Sequence, residues 1–440
     1  MLSANLKIIE ELKAFISIVS ENPEILEVFS TQKGSFTRER KLPFRRLVLL
    51  IAKLCKKTLG LEIDKFFEEL EIEMRCSVSA FSQQRMKLDP FFFKVWNKLL
   101  CDSCYHYYGL AIKRWKGYRI IAADGSNISL INKPVLEKYF GGQSNQSDTF
   151  VQAKAYYCYD VLNELILLAD IKPYRFGELN MAYSTIDGLE EDMLMIYDRN
   201  FCNFKMVALH TWQEKEIKFV IRAKETQNII RTFIDGGSQS EIVYLKTTPA
   251  AIKGLSKCGY TINKYTTLKI RLVRVELPNS VEVLMTNLWE EEGHPSSEFK
   301  ELYFKRWCVE TNISVQKNIL QLESFSGLTP LSIKQDFHAT IIITNLHSIL
   351  IKEAQQTIEN KQTKRKYPMK VNRNKSFGKL KMNLVSLFVD NEPTVILQGL
   401  NDYFIRDPIP VRINRSFPRI IKNRQSKTKH RTYANYKPAY

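Results

Sequence analysis

The spacing of apolar residues divides the chain into a helical beginning, a strand-rich middle and a helical end. Up to about residue 110, apolar side chains recur at helical spacing, as in Leu42–Ile51 and Leu61–Leu70. After Trp115, they form short runs rich in β-branched residues, which are typical of buried strands. Further on, the pattern predicts a long apolar helix at Leu331–Lys361 and a short helix at Lys379–Phe388.

The middle of the chain predicts three strands, a helix, a strand, a second helix and a fifth strand. The first helix lies around Ala182–Leu189, and Asp160–Asn163 forms the turn between the second and third strands. The predicted strands are Arg119–Asp124, Phe150–Tyr159, Glu164–Ile171, Met193–Asp198 and Phe219–Lys224. This is the order of an RNase-H-like α/β core, with carboxylates at the ends of the first and fourth strands.

A β-rich insertion interrupts this core, since three further strands are predicted at Glu241–Lys246, Thr266–Leu277 and Val281–Asn287. We therefore predict an α/β fold with an RNase-H-like catalytic core, an N-terminal helical domain and a basic, partly helical C-terminal region. The predicted boundaries are 1–112 for the helical domain, 113–226 and 289–362 for the two parts of the core, 227–288 for the insertion and 363–440 for the C-terminal region.

Four polar side chains follow one another at helical spacing after the insertion. At about 100° per residue, Tyr303, Arg306, Glu310 and Lys317 lie within about 60° of one another on a single helix. A phenol, a guanidinium, a carboxylate and an ammonium on one stripe suit a surface that holds a metal ion against a phosphate. A solvated amphipathic helix is the alternative.

Charge is concentrated at the C-terminal end of the chain. The formal net charge is +18; residues 361–440 contain 19 Lys/Arg against 4 Asp/Glu, whereas residues 1–360 contain 46 against 43. The Arg-rich end includes Arg412, Arg415, Arg419 and Arg424, and Lys364 lies near its start. This distribution favours a polyanionic partner such as nucleic acid over an anionic lipid surface, because no lipidation signal or basic amphipathic helix accompanies it.

Two other segments carry side chains suited to DNA. Ser77–Leu88 begins with hydroxyl residues that favour a helix N-cap and then presents Gln83, Gln84, Arg85 and Lys87. It is either a DNA-contacting helix or an ordinary exposed one. In the insertion, Lys269, Arg271 and Arg274 lie on either a solvated or a DNA-facing surface.

Several other classes of protein and site are disfavoured. The N-terminus lacks the features of a signal peptide, and the most apolar later run, Thr340–Leu346, is far too short to cross a membrane, so we expect a cytoplasmic protein. Scattered cysteines indicate reduced thiols; Cys101 and Cys104 are more consistent with buried helical positions than with a zinc site. Without a Walker-type loop, we expect no nucleotide cofactor.

Asp124, Asp198 and Glu310 are the candidate metal ligands. Phosphodiester chemistry needs an activated oxygen nucleophile and a stabilised leaving oxygen, which two hard cations supply together. Mg²⁺ prefers carboxylate oxygens, and these three carboxylates would converge from two strands and one helix. The alternatives are a turn residue for Asp124 and a helix cap for Asp198.

Three motifs resemble the DDE transposases of the insertion-sequence-four family: Ala123–Ser126, Tyr197–Phe201 and the Tyr303-x2-Arg306-x3-Glu310-x6-Lys317 spacing. Phe36–Phe44 and Thr286–Leu288 are also similar to family sequence. The resemblance implies that Asp124, Asp198 and Glu310 bind Mg²⁺, with Mn²⁺ as an alternative ion. It also implies that Tyr303, Arg306 and Lys317 hold DNA phosphates near the cut.

The functional hypothesis is a cut-and-paste DNA transposase. It would act on double-stranded DNA, both transposon ends and target, as a homodimer in the DNA complex, with the N-terminal helical domain also binding DNA. One alternative is an inactive or domesticated relative that binds DNA without cutting it. Another is a structure-selective nuclease on the same core, which would hydrolyse strands without joining them.

Overall fold

The computed structural model describes residues 2–38, 40–54, 56–73, 75–144, 149–212, 214–278, 280–361 and 366–412. Of the residues named above for the basic C-terminal region, Arg412 lies within these ranges. Lys364, Arg415, Arg419 and Arg424 lie outside them. No helix in the described ranges has the length and apolar content needed to cross a membrane.

The described chain begins with six helices. They are α1 (Leu2–Glu21), α2 (Pro23–Val28), α3 (Phe44–Lys53), α4 (Leu59–Glu69), α5 (Val78–Arg85) and α6 (Phe91–Tyr108). The predicted N-cap of α5 is confirmed, because the Ser77 hydroxyl accepts a hydrogen bond from the amide of Ala80. Cys101 and Cys104 are buried in α6 as free thiols, and burial raises the pKa of both.

A mixed sheet follows, with β1 near its centre. Its first elements are β1 (Arg119–Ser129), α7 (Pro134–Phe140), β2 (Gly142–Ser144), β3 (Thr149–Asp160), β4 (Leu165–Pro173), α8 (Glu178–Tyr183), β5 (Met193–Tyr197), α9 (Phe204–Thr211) and β6 (Lys218–Arg222). Strand β3 is antiparallel to both β1 and β4, whereas β1, β5 and β6 are parallel to one another. The predicted strands and helices occur in the predicted order, but α7 and β2, which were not predicted, lie between the first and second of these strands.

Strand β1 is longer than its sequence predicts. Pairing with β3 continues from Gly125 opposite Tyr156 to Ser129 opposite Gln152, so Asp124 lies within the strand instead of at its end. The parallel pairing of β1 with β5 stops earlier, at Ala123 beside Tyr197. Asp124 therefore marks the point where one edge of β1 loses its neighbour.

The insertion extends the same sheet instead of forming a separate one. It contains α10 (Asn228–Asp235), β7 (Ser240–Lys246), α11 (Pro249–Ser256), β8 (Thr267–Leu277) and β9 (Ser280–Thr286). Strand β9 pairs antiparallel with β6, with Thr286 opposite Val220. In the described part of the chain, nine strands form one sheet in the order β2-β3-β1-β5-β6-β9-β8-β7, with β4 also beside β3.

The remaining elements are α12 (Phe299–Phe304), α13 (Trp307–Asn318), α14 (Pro330–Asn360), β10 (Met369–Lys370), α15 (Arg373–Val389), α16 (Pro393–Arg406) and β11 (Ile409–Pro410). Helix α14 begins with a capping box in which Thr329 and Ser332 bond each other's backbone amides. Its Phe337 packs in the core of the sheet, while Leu346 packs with the N-terminal helices and with α15 and α16. Helix α14 thus joins the sheet to the helical part of the molecule.

The two faces of the sheet have separate apolar cores. One face places Ile120 and Ala122 of β1 in the core that contains Val309 of α13. The opposite face places Ile121 and Ala123 in the core that contains Met206 of α9. Because side chains alternate along a strand, the residue after Ala123 points toward the face that carries α13.

Candidate active site

The ends of three parallel strands bring two carboxylates and a guanidinium side by side. Ala123 lies beside Tyr197, which lies beside Ile221. The next residue on each strand is Asp124, Asp198 and Arg222, respectively. These three residues therefore follow residues that pair in register, although Asp198 lies just beyond the end of β5, and alternation directs them toward the face that carries α13.

The predicted single helix from Tyr303 to Lys317 is wrong, since it is divided into α12 and α13 by a turn at Lys305 and Arg306. The amide of Lys305 donates to the carbonyl of Leu302 at 3.2 Å, and that of Arg306 donates to the carbonyl of Tyr303 at 3.0 Å. These bonds span three residues instead of four, which tightens the backbone locally into a 3₁₀-type turn. Tyr303 thus lies on α12, Glu310 and Lys317 lie on α13, and Arg306 lies in the turn between them.

Arg306 joins two of the three candidate metal ligands. Its Nη1 atom lies 2.7 Å from Glu310 Oε1 and 3.9 Å from Asp124 Oδ2. The side chain is only 5% exposed, and its guanidinium stacks 4.5 Å from the centre of the Trp307 ring. Its Nε atom is buried and has no hydrogen-bond partner among the described residues.

Asp198 and Tyr303 lie close enough to influence each other electrostatically. Burial raises the pKa of Tyr303, Arg306 opposes that rise and Asp198 adds to it. The Tyr303 hydroxyl is buried without a hydrogen-bond partner among the described residues. Asp198 precedes a short 3₁₀ helix but makes no side-chain capping bond to it, so the helix-cap alternative is not supported.

Lys317 lies further along β1, away from the carboxylates. Its Nζ atom donates to the carbonyl of Asn127 at 2.6 Å and lies 3.3 Å from Glu323 Oε1. Asn127 is three residues beyond Asp124 on the same strand. The structure therefore places the ammonium beside β1, three residues beyond Asp124, and not among the three candidate metal ligands.

The electrostatics of Asp124 reflect its acidic surroundings. Burial, followed by the nearby Glu178 carboxylate, raises the pKa of Asp124 to about 7. Glu310 adds to this rise, whereas the Gly125 amide and Arg306 oppose it. Asp124 Oδ1 accepts the Gly125 amide at 2.8 Å, within a regular strand, so the turn-residue alternative is wrong.

Two residues of this region were missed by the sequence analysis. Arg222 lies inside the fifth predicted strand, Phe219–Lys224, but it is the last residue of the observed strand β6, and it pairs with Glu282 at 2.9 Å. Glu178 has no signal in the sequence, since no local pattern links it to a residue 54 positions earlier. Only the tertiary structure places it beside β1.

The carboxylates suit a hard divalent cation. Carboxylate oxygens are the ligands that Mg²⁺ prefers, and a cation would relieve the repulsion that raises the pKa of Asp124. Among the described residues, however, no group of three His, Cys, Asp or Glu side chains is arranged so that it could hold a metal ion. In this arrangement Arg306 supplies the positive charge between Asp124 and Glu310.

Two of the predicted DNA-contacting groups are instead internal. Arg85 is buried and pairs with Asp336 at 2.8 Å, and Gln84 is buried against the carbonyl of Leu42. Gln83 remains exposed and Lys87 is partly exposed. Arg85 is therefore a structural residue, because a buried ion pair cannot reach a DNA surface.

The basic residues of strand β8, in the insertion, are likewise divided between exposed and buried positions. Lys269 is exposed and Arg274 is partly exposed, but Arg271 is only 1% exposed. Arg271 donates to the carbonyls of Leu288 and His294, at 3.1 and 2.5 Å. It thus holds the segment that leads from the sheet to α12, and the predicted solvated or DNA-facing position is wrong for this residue.

Comparisons with known proteins match much of the chain to transposases. Residues 115–346 match the family model described as "Transposase DDE domain". Among curated proteins, transposase InsG for insertion sequence element IS4 of Escherichia coli (strain K12) is 22% identical over 321 residues, 70% of this chain and 69% of that protein. A solved piggyBac transposase synaptic complex with hairpin DNA covers 98% of this chain and 88% of its own, at 13% identity and a TM-score of 0.39, too low for a conclusion about the fold.

Proposed function

The chain belongs to the DDE-domain transposase family, of the insertion-sequence-four type, and we propose that Asp124, Asp198 and Glu310 are its catalytic carboxylates. As a member of this family it is a DNA transposase, an enzyme that cuts and joins DNA with the help of divalent metal ions. The proposed reaction is cut-and-paste transposition of a mobile element, with Mg²⁺ as the ion.

The convergence of the carboxylates is the observation that carries this proposal. Asp124 on β1 and Glu310 on α13 share one guanidinium, and Asp198 directly follows Tyr197, which pairs with the residue before Asp124. They are separated by 74 and 112 residues in the sequence. All three also lie within the segment that matches the family.

An RNase-H-like core is proposed from the strand arrangement. In the spatial order β4-β3-β1-β5-β6, the first three strands are antiparallel and β1, β5 and β6 are parallel. The insertion then enters between β6 and α12. The proposed boundaries remain 1–112, 113–226, 227–288, 289–362 and 363–440.

Asp124, Asp198 and Glu310 would hold the metal ions. When bound, the ions activate the attacking oxygen and stabilise the leaving oxygen of the phosphodiester. The chain itself orients the DNA phosphate, since the Tyr303 hydroxyl and Arg306 Nε are buried polar groups without partners among the described residues. Such a group costs about 1–3 kcal/mol, which a hydrogen bond to a phosphate oxygen would offset.

The rest of the DNA path is proposed from charge. Lys317 continues the path beyond the carboxylates along β1, as a point charge for a neighbouring phosphate. In the N-terminal helical domain, the exposed Arg38, Arg40 and Lys41 replace Arg85 as candidate phosphate contacts. We propose double-stranded transposon ends and target DNA as substrates, with a homodimer as the active assembly.

The central test replaces each carboxylate by its amide: D124N, D198N and E310Q. Each variant should lose end cleavage by about a thousandfold or more, because several kcal/mol of transition-state stabilisation depend on the ions that these oxygens hold. Binding to end-sequence DNA should stay within about twofold, since the phosphate contacts remain. D235N, at an exposed position on α10, is the matched control.

The same assay separates the alternatives. Retained metal-dependent nicking in all three variants would contradict the proposed centre. A wild-type protein that shifts end DNA but never nicks it in Mg²⁺ or Mn²⁺ would indicate an inactive relative. Hydrolysis without joining to target DNA would indicate a structure-selective nuclease.

A further inference from the structure

Glu178 at the start of α8 lies directly against the strand that carries Asp124. A Cβ atom built on Gly125 would lie 2.3 Å from Glu178 Oε1 and 2.4 Å from its carboxyl carbon. No real Cβ atom approaches another heavy atom so closely. The carboxylate of Glu178 therefore occupies the space that a side chain at residue 125 would fill.

A second contact ties Glu178 to the strand that carries Asp198. The side-chain amide of Asn200 donates to Glu178 Oε2 at 3.3 Å. Asn200 lies two residues after Asp198, in the turn that follows β5. One oxygen of Glu178 thus faces the Asp124 strand and the other faces the Asp198 turn.

The open edge of β1 allows Glu178 to act together with Asp124. Glu178 packs on the backbone of Gly125, whose side-chain direction is opposite to that of Asp124. Strand β5 ends at Tyr197, and its pairing with β1 stops at Ala123, so among the described strands none pairs with this edge of β1 at Asp124. Accordingly, Glu178 is the residue whose charge most strongly raises the pKa of Asp124, ahead of Glu310.

Other groups at the same edge indicate a ligand independently of the carboxylates. Arg306 is 5% exposed, its Nη1 atom is 3.9 Å from Asp124 Oδ2, and its Nε atom is buried without a partner among the described residues. Tyr303 is 7% exposed and its hydroxyl is likewise unpartnered there. Both are donors held ready for an anionic group beside the carboxylates.

On the basis of the proposed function, we propose that Glu178 is a fourth carboxylate of the catalytic centre, supplying an oxygen ligand to the divalent cation held by Asp124. A Glu at this position adds one negative charge and a hard oxygen donor to the three carboxylates already assigned. It also explains why glycine follows Asp124, since a larger residue would displace the Glu178 carboxylate.

The first experiment measures Mn²⁺ binding to the full-length protein without DNA, by titration calorimetry or electron paramagnetic resonance. E178Q should weaken Mn²⁺ affinity by about tenfold or more, the range seen when groups around a metal site are altered. It should also raise the Mn²⁺ concentration needed for half-maximal cleavage. E191Q, which removes the same charge from an exposed position, should leave both quantities unchanged.

The second experiment keeps Glu178 in the sequence but displaces its carboxylate. In G125A the new methyl group must displace the end of the flexible Glu178 side chain, so the fold should persist while Mn²⁺ affinity falls as in E178Q. Adding E178Q to G125A should produce no further loss, because both changes remove the same ligand. G188A is the control, since a Cβ there meets no atom within 4 Å and the backbone is unstrained.

The outcomes distinguish this inference from the proposed function. If D124N, D198N and E310Q abolish cleavage while E178Q and G125A bind Mn²⁺ like the wild type, only the assignment of Glu178 is overturned. If E178Q slows cleavage at unchanged Mn²⁺ affinity, Glu178 is a positioning residue and the ligand assignment is again overturned. If the three amide variants cleave normally, the proposed function itself fails.

Discussion

At the scale of single residues, Arg306 connects the carboxylates with the proposed phosphate site. It is buried, it bonds Glu310 and it lies near Asp124, yet its Nε atom has no partner among the described residues. A planar guanidinium can contact several acceptors in different directions, whereas an ammonium acts as a point charge. The shape of the Arg306 side chain therefore matters as well as its charge.

The variant R306K tests this geometry. We expect single-turnover cleavage to fall by about 10- to 100-fold, because losing a hydrogen bond to a charged group costs about 1.5–3 kcal/mol. Affinity for end DNA should change much less than the rate. K305Q, at the adjacent and more exposed position, is the control; equal rates for R306K and wild type would show that charge alone suffices.

At the scale of elements, α5 is fixed to α14 by a buried ion pair. Asp336 on α14 lies 2.8 Å from Arg85 and 3.9 Å from Lys56, and it accepts the Ser326 amide at 2.5 Å. Burial alone would raise the pKa of Asp336, but Arg85 and Lys56, together with the Ser326 amide, hold it well below its usual range. The N-terminal helices are thus coupled to the helix that supports the sheet.

This lowered pKa predicts how stability depends on pH. The pair contributes fully above the unfolded-state pKa of about 3.9, and its contribution is lost as the pH falls from there toward the folded-state pKa. D336N should lose about 3–5 kcal/mol of stability at neutral pH, because it leaves Arg85 buried without its counter-charge. Denaturant unfolding at pH 7 and at pH 3 should show a much smaller pH effect in D336N than in wild type.

The exposed Lys98–Asp102 pair on α6 is the matched control for this measurement. Surface ion pairs contribute only about 0–1 kcal/mol, so D102N should unfold nearly as the wild type does. Equal losses of stability in D102N and D336N would contradict the structural role assigned to Arg85.

At the scale of the whole molecule, the apolar core of the helices and the basic C-terminal residues occupy different parts of the sequence. Helices α15 and α16 share an apolar core with the N-terminal helices and with the second half of α14. The two ends of the described chain therefore pack together around α14. Beyond them, residues 413–440 contain 8 Lys/Arg and no Asp or Glu, and so carry +8 of the total net charge of +18.

A chain that ends at Arg412 tests the contribution of this charge. Removing residues 413–440 should weaken DNA binding at low salt and flatten its salt dependence, by up to about 7 in the slope of log K against log salt. Unfolding of the remaining protein should be unchanged, since the apolar core described above lies entirely before Arg412. An unchanged slope would exclude these residues from the DNA contact.

The sequence by itself determined the local elements and the identities of the catalytic candidates. The strand Met193–Tyr197 and the cap at Ser77 follow from neighbouring residues alone, because periodicity and capping depend on side chains a few positions apart. The Tyr303–Lys317 spacing likewise identified the family, which the match over residues 115–346 confirms. These are properties of short segments.

The tertiary structure decided which of these residues meet. Arg85 and Asp336 are 251 positions apart, so nothing near Arg85 predicts that it is buried in an ion pair instead of exposed to DNA. The register of β1 with β5 pairs Ala123 with Tyr197, the residues just before Asp124 and Asp198, and the fold brings Arg306 near Asp124 on a strand 182 positions earlier. Glu178, at the start of α8, reaches Gly125 of β1 only in the folded chain. Such contacts depend on pairing and packing between distant segments, and local spacing carries no information about them.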